Sequence, residues 1–347
     1  MAVETVSYVL PLRCGADHGS HDQLATYLTG LADVCEVLVV DGSGPSSFIQ
    51  HANALPPTVR HMAPDADLAF LNGKVDGITT GIRRAAHDRI VLADDDVRYG
   101  VNNLRAVSSL LQDADLVVPQ NYFEPQPWHA RWDTARMLIN RAFSHDYPGT
   151  LGLRRSTFLA MGGYDGDVLF ENLELIRTVT AHGGSVRDAP DLFVRRIPPT
   201  AATFWSQRIR QAYDDLAQPL RLAVELAVLS LIAWSVMRRR SLVVAIAAGA
   251  VAIADAGRRR EGAATVVPPA APLFAPAWVT ERAVCVWLAV VSRLIFGGVR
   301  YRGARIKRAA SSVRSLRRRA RPTSGGEEPA PDVIDHHFVV ALDTTVT

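Results

Sequence analysis

Arg89-Ile90-Val91-Leu92-Ala93-Asp94-Asp95-Asp96-Val97 is a short apolar, β-branched run that ends in three consecutive carboxylates. Five such runs occur in the amino half: Thr5–Leu10, Glu36–Val40, Val59–Met62, Arg89–Ala93 and Leu116–Val118. Between them, Asp22–Ala32, Val75–Ala86 and Asn102–Gln112 repeat apolar residues at helical spacing. Strand and helix in alternation predict an α/β fold with a mostly parallel sheet. Such sheets bind ligands beyond the carboxyl ends of their strands, where this chain carries Asp41, Asp94–Asp96 and Gln120-Asn121.

From Trp128 to Arg196 the pattern turns to helices with short strands and predicts a second lobe completing a cleft. Expected here are a helix over Ala130–Phe143, a strand over Thr150–Leu153, a helix over Glu171–His182 and a strand over Leu192–Arg195. After Pro219, three nearly continuous apolar runs follow, Leu222–Met237, Leu242–Ala254 and Ala283–Val299. Each is shorter than the roughly 20 residues of a simple span. Glu225, Asp255 and Arg293 within or beside them are costly if they face lipid.

The 347 residues, enough for about two domains at roughly 150 residues each, carry a formal net charge of +3 that conceals a division. Residues 1–219 hold 19 basic and 26 acidic side chains, residues 220–347 hold 19 and 9. A hydrophobic share of 48% excludes a wholly disordered or collagen-like chain. The three cysteines, Cys14, Cys35 and Cys285, form neither a disulfide framework nor a zinc spacing and point to a reducing environment. The first residues lack the basic flank of a signal peptide, so an amino half that is not exported is expected. Arg300–Arg321 contains ten basic residues and no acid, which by the positive-inside rule places it in the cytoplasm.

A cytoplasmic amino half then requires an even number of crossings. The expected arrangement is a hairpin of the first two runs with an interfacial third, its Arg282 and Arg293 reaching head groups. Arg238–Arg240 fall on the wrong side of a two-span hairpin, a conflict that a shallow re-entrant hairpin removes.

Three adjacent carboxylates repel one another unless a cation or the donors of a substrate offset them. An Mg²⁺ or Mn²⁺ ion bridging a diphosphate is the economical use of Asp94–Asp96, and a solvated helix N-terminus is the plain alternative. Asn72-Gly73-Lys74 opens a helix, where backbone N–H groups and a lysine can meet a phosphate. Lys74 is the only lysine in the first 306 residues of a chain that otherwise uses arginine.

These motifs, with Gly162-Gly163-Tyr164, Phe170-Glu171-Asn172-Leu173-Glu174 and Gln207-Arg208-Ile209-Arg210-Gln211, follow the order seen in family 2 glycosyltransferases. Over residues 5–215 the chain resembles the membrane-bound, ceramide-glucosyltransferase-like branch. The resemblance implies a GT-A fold, Rossmann-like with an acceptor lobe, followed by membrane helices. It divides the chain into a nucleotide-sugar-binding part (1–125), an acceptor part (126–218), membrane-associated helices (219–299), a basic juxtamembrane segment (300–321) and a disordered tail (322–347).

The activity it implies is inverting transfer of a sugar from a nucleotide-diphosphate donor such as a UDP-sugar. Pro11, Asp41, Lys74, Asp94 and Asp95 would bind the donor, Asp94 and Asp96 the metal. Gln207, Arg208, Arg210 and Trp128 would serve the acceptor and diphosphate. The family's Glu-Asp pair, whose Asp usually acts as base, reads Glu171-Asn172 here, which leaves Glu171 as base with Glu174 one turn on as its substitute. The tryptophan of the family's (Q/R)-x-x-R-W motif is replaced by Gln211. A lipid-linked or amphiphilic acceptor, anionic membrane lipids along the basic segment and no nucleic acid are the expected partners. His145-Asp146 is a further acceptor-side candidate.

Overall fold

A computed structural model describes residues 5–13, 21–144, 146–301 and 303–320. The segment expected to be a disordered tail, 322–347, lies outside the described residues.

The alternation becomes β1 (Val6–Leu12), α1 (His21–Ala32), β2 (Glu36–Asp41), α2 (Pro45–Ala54), β3 (Arg60–Met62), α3 (Gly73–Arg84) and β4 (Arg89–Ala93). Next come β5 (Val97–Arg98), α4 (Val101–Leu110), β6 (Leu116–Phe123), α5 (Trp128–Phe143), β7 (Thr150–Arg154), α6 (Arg155–Ala160), α7 (Glu171–Ala181) and β8 (Val186–Arg196). The eight strands form one sheet in the order β3-β2-β1-β4-β7-β6-β8-β5, parallel except where β7 and β5 run against their neighbours. Residues 126–218 therefore complete the sheet begun by residues 1–125.

Both sheet faces are covered, which is why the strands read as continuous apolar runs. Along β1, Val6, Tyr8, Leu10 and Leu12 enter one core and Val9 the other, following the two-residue period of a strand. Helix α3 sits unusually close to β1, because a Cβ at Gly77 would lie 2.8 Å from that of Pro11 and one at Gly81 would clash with Val9. Small residues on one helix face thus bring its first turn to the carboxyl end of β1. Two strands exceed expectation. The strand β6 continues through Gln120 and Asn121, which lie inside it, and β8 is eleven residues long despite Pro190 because a register shift after Pro119 lets the pairing resume.

Beyond the sheet lie α8 (Ala201–Ser206), α9 (Arg208–Tyr213), α10 (Pro219–Arg238), α11 (Arg240–Arg259), α12 (Ala275–Ile295), the hairpin β9 (Val299–Tyr301) and β10 (Ala304–Ile306), and α13 (Val313–Ala320). The three apolar segments are longer than their apolar runs alone suggested. All are long and apolar enough to cross a membrane, the third included, so the expected difference in kind between two spans and an interfacial segment has no counterpart in length.

Their charges are internally compensated. Glu225 is buried and pairs with Arg221 at 3.0 Å, and Asp255 meets Arg259 at 2.7 Å. Arg282, expected at head groups, is buried and donates to Asp215 at 2.9 Å. Helices α11 and α12 also pack on the α/β part, Ala250, Ala254 and Trp278 sharing a core with Ala135 and Leu138 of α5. Outward, Leu220, Trp234, Met237, Val244, Leu294 and Ile295 are exposed, an apolar surface larger than water-facing helices carry.

Candidate active site

The chain winds outward from β1 to β3 and then returns to the other side of β1 with β4. That reversal opens a crevice at the carboxyl ends of β1 and β4. A cavity of about 380 Å³ occupies it, with Pro11 and Arg13 on one strand end and Asp94, Asp95 and Asp96 on the other.

The carboxylate run is held from two sides. Asp94 N–H donates to Gly149 O (3.0 Å) and Ile197 N–H to Asp96 O (2.7 Å). A Cβ at Gly149 would lie 2.6 Å from Asp94 Oδ2, so a side chain there would displace the acid from its present position. Arg196, at the end of β8, donates through Nε to Asp96 Oδ2 (2.8 Å) and through Nη2 to Asp94 Oδ2 (3.4 Å). Asp95 faces the same cavity while its carbonyl accepts from Arg98.

Burial, together with the charges of Asp94 and Asp95, pushes the Asp96 carboxyl up to about 6 against the pull of Arg196. Asp96 Oδ1 is shielded from solvent and has no hydrogen-bond partner among the described residues. An orphaned carboxylate oxygen beside two further acids is a donor set that suits a hard divalent cation such as Mg²⁺ or Mn²⁺.

Opposite the acids, Asn72 caps α3 by accepting the Lys74 N–H (3.3 Å), and its amide reaches Val168 O and Glu171 Oε2 at 3.3 and 3.4 Å. This aligns the starts of α3 and α7. Lys74 Nζ consequently bridges Asp94 Oδ1 at 2.5 Å and Glu171 Oε1 at 2.6 Å. The two carboxylates outweigh the cost of burying the ammonium and raise the Lys74 pKa. Asn172 also faces the cavity, its amide donating to Pro148 O (2.9 Å).

The acceptor-side residues separate. Gln207, Arg210 and Gln211 line the cavity, Arg210 lying over the Tyr301 ring at 5.2 Å. Arg208 does not. Two residues along a helix turn the side chain by roughly 200°, and Arg208 points into the protein, where it is buried, makes bonds of 2.7 and 3.1 Å to Asp133 and stacks on Phe204. Trp128 is also off the cavity, half exposed in an aromatic cluster with Trp132, Phe204 and Trp205.

Two acids are placed elsewhere. Glu174, one turn on from Glu171, is buried, accepts the Ser311 N–H and does not line the cavity. Asp41 is fully buried at the end of β2 and does not line the cavity. Its Oδ1 accepts from Ser43 N–H, and Oδ2 accepts from His51 Nδ1 (2.6 Å) and His61 Nε2 (3.0 Å). Burial would raise the Asp41 carboxyl, but these hydrogen bonds prevail and hold it below the ordinary carboxylate range. The Asp41, His51 and His61 donor atoms are close enough to share a metal ion, yet each already satisfies another by hydrogen bonding. His145 lies outside the described residues, and Asp146 is taken by Arg136 (2.8 Å) and Asn140 (2.7 Å).

Sequence reasoning missed Arg196, Asp214, Asp215, Arg221 and Arg282, all of which line the cavity. The only local cue was the pair Arg195-Arg196 ending a strand, and Arg282 was concealed within an apolar helix.

No family model matches this sequence, and no curated protein matches it. Among solved structures it is similar to a mannosyltransferase from Pyrobaculum calidifontis in complex with GDP-Man and Mn²⁺, at 20% identity over 84% of this chain and 87% of that one, TM-score 0.49. It is also similar to glucosyl-3-phosphoglycerate synthase from Mycobacterium tuberculosis. The complex of that protein with Mn²⁺, UDP and phosphoglyceric acid matches at 14% identity over 58% of this chain and 73% of that one, TM-score 0.40. The complex with Mg²⁺ and UDP matches at 14% identity over 57% and 73%, TM-score 0.37.

Proposed function

We propose that this chain is a membrane-associated, metal-dependent glycosyltransferase of GT-A type, akin to the ceramide-glucosyltransferase-like branch of family 2. In this reading it moves a hexosyl group with inversion from a nucleotide-diphosphate donor, a UDP-sugar by preference, to a lipid-linked or amphiphilic acceptor at the cytoplasmic membrane face. The observation that carries the reading is the Asp94–Asp96 run at the switch point of the sheet, faced by Lys74 and flanked by Arg13 across one cavity.

Asp94 and Asp96 would hold the metal, which when bound neutralises charge on a departing diphosphate. Lys74 and Arg13 supply fixed positive charge on the diphosphate side, and Arg196 keeps the two acids in one orientation. Pro11 and Asp95 would border the donor, with Asp41 supporting the strand end behind it. Gln207, Arg210 and Gln211 face the acceptor side, while Arg208, Trp128 and Trp205 support the lobe that carries them. The exposed apolar faces of α10, α11 and α12 suit a bilayer, with the basic segment 300–321 against anionic lipid.

Release of nucleoside diphosphate by the purified full chain, across a panel of nucleotide-sugars with Mn²⁺ or Mg²⁺, tests the assignment. Equal signals from wild type and Asp96→Ala with every donor would refute it. Asn172 at the base position favours a second reading, an inactive relative that binds nucleotide-sugar as a membrane scaffold. In that case UDP binds with metal, and no donor is turned over.

A further inference from the structure

An inverting transfer needs a carboxylate facing the acceptor hydroxyl, and the residues first expected to supply it are otherwise engaged. Asn172 carries an amide, which takes up no proton at neutral pH, and that amide holds the Pro148 carbonyl. Glu171 has both oxygens approached, Oε1 by Lys74 and Oε2 by Asn72. Glu174 lies off the cavity.

Where α9 ends, Asp214 enters the same cavity beside Arg210 and Gln211. Its neighbour Asp215 is an ordinary structural acid, with Oδ2 on Arg282 (2.9 Å) and Oδ1 on Arg221 (3.0 Å). Asp214 is different. Its Oδ1 is shielded from solvent and has no hydrogen-bond partner among the described residues, although Gln211 and Arg210 stand within the same wall. The residue itself is only half-buried and lines the cavity, which leaves its carboxylate to be matched by a donor that arrives with a ligand. Burial, and then the charges of Asp215 and Glu171, raise the Asp214 carboxyl well above the usual range despite Arg282 and Arg210.

Resting on the glycosyltransferase reading, we propose that Asp214 is the general base, its carboxylate receiving the proton of the acceptor hydroxyl. As that proton passes to Asp214, the hydroxyl oxygen forms a bond to the anomeric carbon of the donor sugar. The bond from that carbon to the diphosphate oxygen breaks, and its electron pair leaves with the nucleoside diphosphate. Asp214 returns the proton to water once the product has left. The base that family 2 places after Glu171 is thus supplied from the end of α9, three residues beyond Gln211.

The test uses the detergent-purified full chain with UDP-glucose and GDP-mannose among the donors, Mn²⁺, and either water or a solubilised membrane-lipid extract as acceptor. Asp214→Asn is expected to lower turnover by about 100- to 10,000-fold while UDP or GDP binding with Mn²⁺, measured by calorimetry, stays within about twofold of wild type. Formate is expected to restore part of the turnover of Asp214→Ala and none of that of Asp96→Ala. Turnover of Asp214→Asn within about threefold of wild type overturns the proposal, as does loss of nucleotide binding in step with turnover or a failure of formate to rescue. A wild-type chain inactive with every donor refutes the transferase reading itself, a result distinct from an active Asp214→Asn.

Discussion

Lys74 Nζ sits 2.6 Å from Glu171 Oε1, joining the first turn of α3 to the first residue of α7. The same ammonium reaches Asp94 at 2.5 Å, so one side chain ties the acids at the end of β4 to the start of α7 across the cavity. A divalent ion at Asp94 would compete with that contact. Lys74→Met is therefore expected to leave Mn²⁺ affinity equal or stronger while weakening UDP or GDP binding, as followed by calorimetry with each ligand. Loss of the charged hydrogen bonds should lower stability by about 1.5–3 kcal/mol, visible as an earlier thermal transition.

Asp96 is the acid whose Oδ1 finds no protein partner. Asp96→Asn keeps the shape and the acceptor for Arg196 but removes the charge, and Mn²⁺ binding should fall by at least about 10–100-fold, the range seen when a metal site loses supporting contacts. Asp95→Asn, which removes a neighbouring repulsion without touching Arg196, should leave Mn²⁺ binding within a few-fold. Electron paramagnetic resonance of free Mn²⁺ reads both.

Asp115 anchors the start of β6, accepting from Thr157 Oγ1 (2.7 Å) and from Ser185 N and Oγ (2.8 and 2.9 Å). The Thr157 hydrogen bond, aided by Ser185, outweighs burial and holds the Asp115 carboxyl below its ordinary value. A depressed carboxyl contributes stability that is fully present above the unfolded value of about 3.9 and lost as pH falls through the folded value. Asp115→Asn should cost about 1–3 kcal/mol near pH 7, and the gap to wild type should narrow as pH falls below the unfolded carboxylate value, as chemical denaturation at several pH values will show.

Arg282 and Asp215, each 3% exposed, lock α12 to the turn that follows α9. Arg282→Met alone removes one of the two cations on a buried carboxylate, leaving Arg221 at 3.0 Å, and should cost about 1.5–3 kcal/mol. Replacing both, Arg282→Met with Asp215→Leu, should recover much of that loss, because Arg221 keeps Glu225 as its partner. Unfolding of the detergent-solubilised chain measures the difference.

The site was partly legible in advance. Pro11, Lys74, Asp94, Asp95, Asp96 and Glu171 meet in one cavity because each stands at a strand end or helix start that apolar spacing had already located, and Gln207 and Arg210, placed by motif order alone, join them there. Glu174 and Arg208 were misplaced for a common reason. Each found a buried partner, Ser311 N–H and Asp133, more than 70 residues away in sequence, a contact that local spacing does not encode.

By itself the sequence determined the alternating α/β core, the carboxylate run ending its fourth strand, and three apolar carboxyl-terminal helices. Those features follow from side-chain period and local composition, which a chain carries without knowing its neighbours. Only the tertiary structure decided that Arg196 clasps Asp94 and Asp96, that Arg282 leaves an apolar helix to pair with Asp215, and that Asp214 opens into the cavity while Asp41 closes beneath two histidines. A charged group's role depends on which opposite charge, cavity or apolar wall packing brings to it, and such contacts join residues as far apart as Asp94 and Arg196.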